Sequence, residues 1–232
     1  MKCLEPLNHA AQPAIFYVTD RQMLPSGSSE NIFEKIRNAT MANADFIQIR
    51  EKRLSTGELL NLTREAVRIA KQEGGSPRVI VNDRLDVALA AGASGVHLGR
   101  ESLAADTVIG WCLAGNAPPN FLVGVSCHSL QEARVAEKAG ASYAFFGPIF
   151  DTPSKRRFGP SQGLALLADI CRAVKIQVIA IGGVNESNAA DCLKAGASGI
   201  AAIRLFQEAQ DAQALRTALR GIHQIPLVSI RR

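Results

Sequence analysis

Ala91-Gly92-Ala93-Ser94, Ala139-Gly140-Ala141-Ser142 and Ala195-Gly196-Ala197-Ser198 are three copies of one tetrapeptide. Each follows a helix-like segment and leads into an apolar run. A weaker version, Ala42-Asn43-Ala44-Asp45, precedes them, and successive copies lie roughly fifty residues apart. Two strand-helix units occupy about that length, so the copies mark every second unit of an eight-unit array. The small residues have a physical reason. A glycine after a helix takes the left-handed capping conformation, and small neighbours let the chain turn straight into the next strand.

Working outward from these turns, eight short apolar runs read as strands: Ala14–Thr19, Phe46–Arg50, Arg78–Asn82, Gly95–Leu98, Phe121–Ser126, Tyr143–Gly147, Gln177–Ile181 and Gly199–Ile203. Between them lie amphipathic segments such as Thr56–Gln72 and Leu130–Ala139, whose apolar residues recur at helical spacing. Alternating strands and helices build a parallel sheet, and eight alternations favour closure over an open doubly wound sheet. The expectation is an α/β protein, a single-domain (β/α)8 TIM barrel over residues 14–225, with an N-terminal extension at 1–13 and a tail at 226–232.

The 232 residues, 47% of them hydrophobic, suffice for one large core. A net charge of +5 with scattered basic residues, an aromatic content of 5% and no basic helix argue against a nucleic-acid partner. The five cysteines form no C-x-x-C pair and no metal-like cluster with the four histidines, which fits a reducing cytoplasm. Cys3 to Gln12 is not an apolar core of signal-peptide type, and no run approaches the roughly 18 apolar residues of a membrane span. A soluble, cytoplasmic protein without a membrane partner is expected, and assembly as a homo-oligomer stays open.

In such a barrel the chemistry sits where strands end and the following loops begin. Gln48 and Arg50 alternate on one strand face, and Lys52 follows at the same period. An amide, a guanidinium and an ammonium in a row suit a diphosphate; the alternative is a polar layer closed by a salt bridge to Glu51 or Asp83. Asp83, after Asn82, either caps the following helix or pairs with Glu101 to hold Mg²⁺, which takes one or two carboxylates plus substrate oxygens. The loop from Asp151 to Pro160, with Thr152, Ser154 and the cations Lys155, Arg156 and Arg157, reads as an anion-binding lid or as a solvated charge run. Gly182-Gly183 and Ile203-Arg204 stand where barrels bind phosphate through backbone N–H groups. Cys127 and His128 are adjacent and point to opposite faces, so they form no nucleophile-base dyad. His128 alone is a candidate general acid/base or substrate contact, and His97, inside a strand, reads as structural.

Phe16-Tyr17-Val18-Thr19-Asp20, Gln48-Ile49-Arg50-Glu51-Lys52, Val81-Asn82-Asp83-Arg84, Gly95-Val96-His97-Leu98-Gly99, Gly147-Pro148-Ile149-Phe150 with Thr152-x-Ser154-Lys155, and Ala180-Ile181-Gly182-Gly183, in this order, resemble the thiamine-phosphate synthase and thiazole tautomerase superfamily. The resemblance runs from about residue 14 to residue 222. It implies coupling of 4-amino-5-hydroxymethyl-2-methylpyrimidine diphosphate to 4-methyl-5-(2-phosphoethyl)thiazole, with Mg²⁺ as cofactor and these phosphorylated small molecules as partners. It further implies that diphosphate departs first and that the thiazole nitrogen captures the resulting pyrimidine cation. On the same ground Arg50, Lys52, Asn82 and Lys155 would hold the pyrimidine diphosphate, with Gln48 and Ser126 lining that site. Thr152, Ser154 and the backbone at Gly183, Ile203 and Arg204 would meet the thiazole phosphate.

One departure bears on the chemistry. The family usually reads Gly-Gln-x-Asp after strand four, whereas this chain reads Gly99-Arg100-Glu101-Ser102, so Ser102 stands where a second metal-binding Asp is expected. Glu101 is then the candidate to join Asp83 at the metal. The tautomerase branch of the superfamily lacks that Asp and uses a histidine corresponding to His128, but it tends to lose the Gln-x-Arg-x-Lys and Asn-Asp patterns kept here. The alternatives to a synthase are a thiazole tautomerase and a non-catalytic barrel that binds phosphorylated ligands.

Overall fold

The computed structural model describes Leu7 and residues 12–24, 29–72, 77–151 and 161–228. Strands β1 (Ala14–Val18), β2 (Phe46–Ile49), β3 (Arg78–Asn82), β4 (Gly95–Leu98), β5 (Leu122–Cys127), β6 (Tyr143–Phe146), β7 (Gln177–Ile181) and β8 (Gly199–Ala202) alternate with helices. These are α1 (Ser29–Met41), α2 (Thr56–Gln72), α3 (Leu85–Ala90), α4 (Ala105–Trp111), α5 (Leu130–Ala139), α6 (Gly163–Ala173), α7 (Ala189–Lys194), α8 (Arg204–Gln207) and α9 (Ala212–His223). Every strand is parallel to its sequence neighbour, and β8 pairs back onto β1, with Ala14 opposite Gly199 and Phe16 opposite Ala201. The result is the expected closed (β/α)8 barrel, with strand ends within one residue of those read from the sequence.

The tetrapeptide repeat has one structural meaning in all four copies. Gly92, Gly140, Gly196 and Asn43 each have positive φ, from 63° at Asn43 to 101° at Gly196. In each copy the third residue donates its N–H to a carbonyl five residues back, as Ala93 does to Ala88 and Ala141 to Ala136. The second residue donates to a carbonyl three residues back, as Gly140 does to Glu137. That pair of bonds is the Schellman closure, which satisfies the last helical carbonyls. The fourth residue then opens the next strand by bonding to its neighbour: Asp45 to Ile15, Ser94 to Val79, Ser142 to Val123 and Ser198 to Val178. The repeat therefore sets the entry of every even-numbered strand.

Inside the barrel, alternate residues of each strand meet. Phe16 stacks on Phe46 with ring centroids 4.2 Å apart, and Tyr143 and Phe145 lie 5.0 and 5.1 Å from Phe16. The Tyr143 ring fits because the residue opposite it on β5 is Gly124, and Gly95 similarly makes room for Leu122 and Ile80. A Cβ on Gly124 would lie 2.2 Å from the Tyr143 ring, and one on Gly95 would lie 2.4 Å from the Leu122 carbonyl, so large and small residues alternate around the ring. Leu7, from the segment read as an extension, is buried in the same interior cluster as Ala14 and Phe16. The outward residues of the strands pack under the helices in a second, larger cluster. At the N-terminal end of the barrel, Asp45 accepts the Ile15 N–H at 2.8 Å and meets His223 Nε2 of α9 at 3.1 Å, tying the last helix to the first two strands. Among the described residues no helix is long and apolar enough to cross a membrane.

A Cβ at Gly140 would meet nothing nearer than Ile109 Cγ2 at 3.8 Å, yet its φ is 88°. Gly140→Ala should therefore cost about 1–2 kcal/mol from backbone conformation alone, read as a lowered urea midpoint at unchanged slope. Asn43→Gly, at the corresponding turn, should leave the midpoint unchanged or raise it.

Candidate functional site

The C-terminal strand ends carry a continuous chain of polar side chains. Gln48 is buried on the inner face of β2 and donates from Nε2 to Asn82 Oδ1 at 2.9 Å; its own Oε1 has no hydrogen-bond partner among the described residues. Asn82 at the end of β3 passes the chain on, donating from Nδ2 to Asp83 Oδ2 at 2.5 Å. Asp83 Oδ1 accepts the Ser102 hydroxyl and, at 3.2 Å, the Gly99 N–H. Gly99 N–H also reaches Ser102 Oγ at 2.7 Å. Three adjacent strands thus hold one carboxylate in a fixed orientation, and Asp83 adopts φ 62° to present it.

Asp83 caps no helix. The residue preceding α3 is Arg84, without a side-chain cap, and Arg84 instead pairs with Asp86. The capping alternative is overturned because Asp83 is turned across the barrel mouth toward the loop after β4. The loop after β4 brings Ser102 to it, while Glu101, one residue earlier, is exposed.

The alternation of Gln48, Arg50 and Lys52 ends with the strand. β2 stops at Ile49, and Lys52 lies exposed in the following turn. The Arg50 guanidinium sits 3.6 Å from Asp20, and the Arg50 N–H donates to Thr19 Oγ1 at 2.9 Å. A salt bridge to Glu51 or Asp83 was the expected alternative; the partner is Asp20. Glu51 turns back, buried, to accept the Arg21 N–H at 3.2 Å, and burial raises its pKa above the ordinary carboxylate value. It anchors the loop after β1 beneath Arg50. A capping box then starts α2: Ser55 N–H donates to Glu58, and the Glu58 N–H returns to Ser55 Oγ.

His128 is set by a similar device. Ser129 caps α5 by accepting the Glu132 N–H at 3.1 Å, and the Glu132 carboxylate reaches back to the His128 N–H. The His128 Nδ1–H donates to the Gly147 carbonyl at 2.6 Å, which makes Nε2 the ring nitrogen that exchanges a proton. His128 lines, with Arg100, Ser126, Gln131 and Glu132, a cleft of about 240 Å³ beside the strand ends. Cys127 is buried and its thiol is pushed up to about 12 by burial, in keeping with a residue that takes no part in a dyad.

Beyond β6 and β7 the backbones run together, with Ile149 N–H on Ile181 O and Phe150 N–H on Gly182 O, both 3.0 Å. A Cβ on Gly183, whose φ is 71°, would lie 2.7 Å from Phe150 Cβ, so this approach requires glycine. Ile203 precedes the short helix α8, and the Arg204 side chain, 3.7 Å from Glu208, pairs along that helix. Thr152, Ser154 and Lys155 lie outside the described residues, as does the loop expected to act as a lid beyond Asp151.

His97 bears on the site more than its reading as structural implied. Its Nε2 is 2.9 Å from Ser126 Oγ, and its Nδ1 is 3.3 Å from the Tyr143 hydroxyl. Burial lowers its pKa from 6.5 to about 3, with Asp83 opposing the shift and Arg50 adding to it. The signal available in the sequence was its inward register, two residues after Gly95 and two before Gly99.

Residues 15–206 match the thiamine monophosphate synthase family model. The chain belongs to that family. A thiamine-phosphate synthase from Methanospirillum hungatei is 40% identical over 191 residues, covering 82% of this chain and 87% of the relative. One from Chloroflexus aurantiacus is 37% identical over 214 residues, 92% and 94% of the two chains. Among solved structures, thiamine phosphate pyrophosphorylase from Pyrococcus furiosus superposes with a TM-score of 0.77 at 33% identity, covering 91% of this chain and 96% of that one. This family member is accordingly an enzyme of the transferase class, and its polar strand ends are where its chemistry is to be sought.

A histidine held neutral by burial makes stability depend on acid. Its folded pKa lies below its unfolded one, so its contribution is present above pH 6.5 and is lost as pH falls toward about 3. Between pH 6 and pH 4 the unfolding free energy of the native protein should fall by about 1.4 kcal/mol per pH unit more steeply than that of His97→Gln. Equal slopes in urea titrations would contradict a buried neutral His97.

Proposed function

We propose that this family member couples 4-amino-5-hydroxymethyl-2-methylpyrimidine diphosphate to 4-methyl-5-(2-phosphoethyl)thiazole, forming thiamine phosphate and releasing diphosphate. The observation that carries the reading is the Gln48, Asn82, Asp83, Ser102 chain, which joins an uncommitted buried acceptor to an oriented carboxylate at the ends of three adjacent strands. Cleavage of the pyrimidine methylene C–O bond sends its electron pair to the diphosphate, and the thiazole nitrogen then supplies the pair for the new C–N bond. The protein's task is to stabilise the departing anion and align the two rings. Arg50, Lys52, Asn82 and Lys155 are assigned to the diphosphate, with Gln48 and Ser126 lining the same site. Thr152, Ser154 and the backbone at Gly183, Ile203 and Arg204 are assigned to the thiazole phosphate. His128 is assigned proton handling, since its Nδ1 bond to Gly147 makes Nε2 the ring nitrogen that exchanges a proton.

Mg²⁺ fits the donor set. An ionised carboxylate offers about four acceptor positions, and Asp83 uses three, on Asn82, Ser102 and Gly99. Asp83 would hold the ion, with Glu101 as the candidate second carboxylate from the adjoining loop, and the bound cation would neutralise charge on the leaving diphosphate. The phosphorylated small molecules are the only partners this reading requires. The buried thiols of Cys112, Cys127 and Cys192 support a reducing, cytoplasmic setting.

Incubation with both substrates and Mg²⁺ should yield thiamine phosphate and diphosphate in equal amounts. Arg50→Ala and Lys155→Ala should each lower turnover by roughly tenfold to a hundredfold, the loss of one charge-assisted contact, with the fold intact. Ser102→Asp should lower the Mg²⁺ concentration needed for half-maximal rate. Metal-independent conversion of a thiazole carboxylate phosphate, with no coupled product, would favour the tautomerase instead, and binding without turnover of either kind would favour the ligand-binding barrel.

A further inference from the structure

We propose that Tyr143 and His97 are positioning residues that aim the hydroxyl proton of Ser126 out of the barrel, making Ser126 a donor to an anionic oxygen of the bound ligand. The inference deepens the reading above and rests on it for the ligand's identity. Its basis lies in three buried or half-buried groups on β4, β5 and β6.

Tyr143 and His97 are both almost completely buried, at 0% and 1% exposure. Among the described residues the hydrogen-bond partner of the Tyr143 hydroxyl is His97 Nδ1, at 3.3 Å. The other ring nitrogen, Nε2, lies 2.9 Å from Ser126 Oγ. No carboxylate hydrogen-bonds to this ring, so it is neutral and carries one proton. Two placements of that proton are then open.

If Nδ1 carried it, Nδ1 would donate to the phenol oxygen, and the phenolic O–H would be a buried donor with no acceptor. Leaving such a donor unmade is the costly outcome in a protein interior. If instead Tyr143 donates to a bare Nδ1, the proton sits on Nε2, which donates to Ser126 Oγ. Both buried donors are then satisfied, and the Ser126 O–H is left over. Ser126 faces the barrel interior near the C-terminal end of β5 and lines the cleft with His128 and Arg100. Its proton is then the donor left at the rim where the diphosphate is assigned, and a fixed O–H donor suits an oxyanion such as a phosphate oxygen.

The glycine opposite enforces the arrangement. A Cβ at position 124 would overlap the Tyr143 ring and lie 2.5 Å from its oxygen, so the phenol is held in one place against β5. The direction of a single hydroxyl at the active surface is thereby fixed two hydrogen bonds away, by a tyrosine that never meets the ligand.

The test is nitrogen-15 NMR of the full-length protein labelled at histidine, with His97 assigned by its loss in His97→Gln. The expected result is a His97 ring protonated at Nε2 alone. A ring protonated at Nδ1 overturns the proposal, and this measurement needs no variant to fold other than the assignment control. Calorimetric titration with inorganic diphosphate and Mg²⁺ supplies the second arm. Ser126→Ala and Tyr143→Phe should each weaken binding by roughly tenfold, and the double variant should bind no more weakly than Ser126→Ala alone. Independent, multiplying losses overturn the relay. An Nε2 proton with no diphosphate binding by the native protein overturns the anionic ligand while the Nε2 placement stands, which separates the failure of this inference from that of the coupling reaction.

Discussion

Everything in this molecule follows from the hydrogen bonding of β8 to β1. Once the sheet closes, alternate residues of eight strands share one interior, and that interior must be filled to crystal-like density without a pore. Four large rings, Phe16, Phe46, Tyr143 and Phe145, do the filling, and Gly124 makes room for Tyr143. Closure also places all eight strand ends on one rim. Polar groups there need not be buried alone, because each finds a partner on the next strand, as Gln48 does on Asn82 and Asn82 on Asp83. Packing below thus permits a rigid polar array above.

The repeat made the architecture readable. Its glycines and the single Asn43 are needed for a positive φ, a local requirement that leaves a local mark. Strand positions followed from composition and spacing. The site is legible in part: the sequence singles out Gln48, Asn82 and Asp83, and the structure joins them. What sequence could not yield was pairing at a distance. Arg50 meets Asp20 rather than Glu51 or Asp83 because the chain leaves β2 after Ile49 and the loop after β1 lies over it. Asp83 looked like a helix cap, since a carboxylate before a helix has that role by default; only the fold of the loop after β4 reveals Ser102 and Gly99 as its partners. His97 was read as a core residue, and so it is, yet one of its nitrogens reaches a rim hydroxyl.

Ser102 stands where the family resemblance implies an Asp, and it meets Asp83 through its hydroxyl. A hydroxyl in place of a carboxylate keeps Asp83 oriented but contributes no charge. A hard cation would then depend more heavily on the oxygens of the substrate it accompanies. The Gln48, Asn82 and Asp83 chain lies at the ends of β2 and β3, and His128, held through Nδ1 by the Gly147 carbonyl, follows β5 on the same rim.

The central claim is that anion binding occurs on this rim. Hydrogen–deuterium exchange of the native protein, with and without inorganic diphosphate and Mg²⁺, tests it most directly. The account predicts slowed exchange at the amides just beyond β2, β3, β4 and β7, around Arg50, Asp83, Gly99 and Gly183. The opposite face of the barrel holds a competing cleft of about 360 Å³, lined by Arg78, Ser94, Asn120 and Phe121. Protection confined to that face would contradict the account.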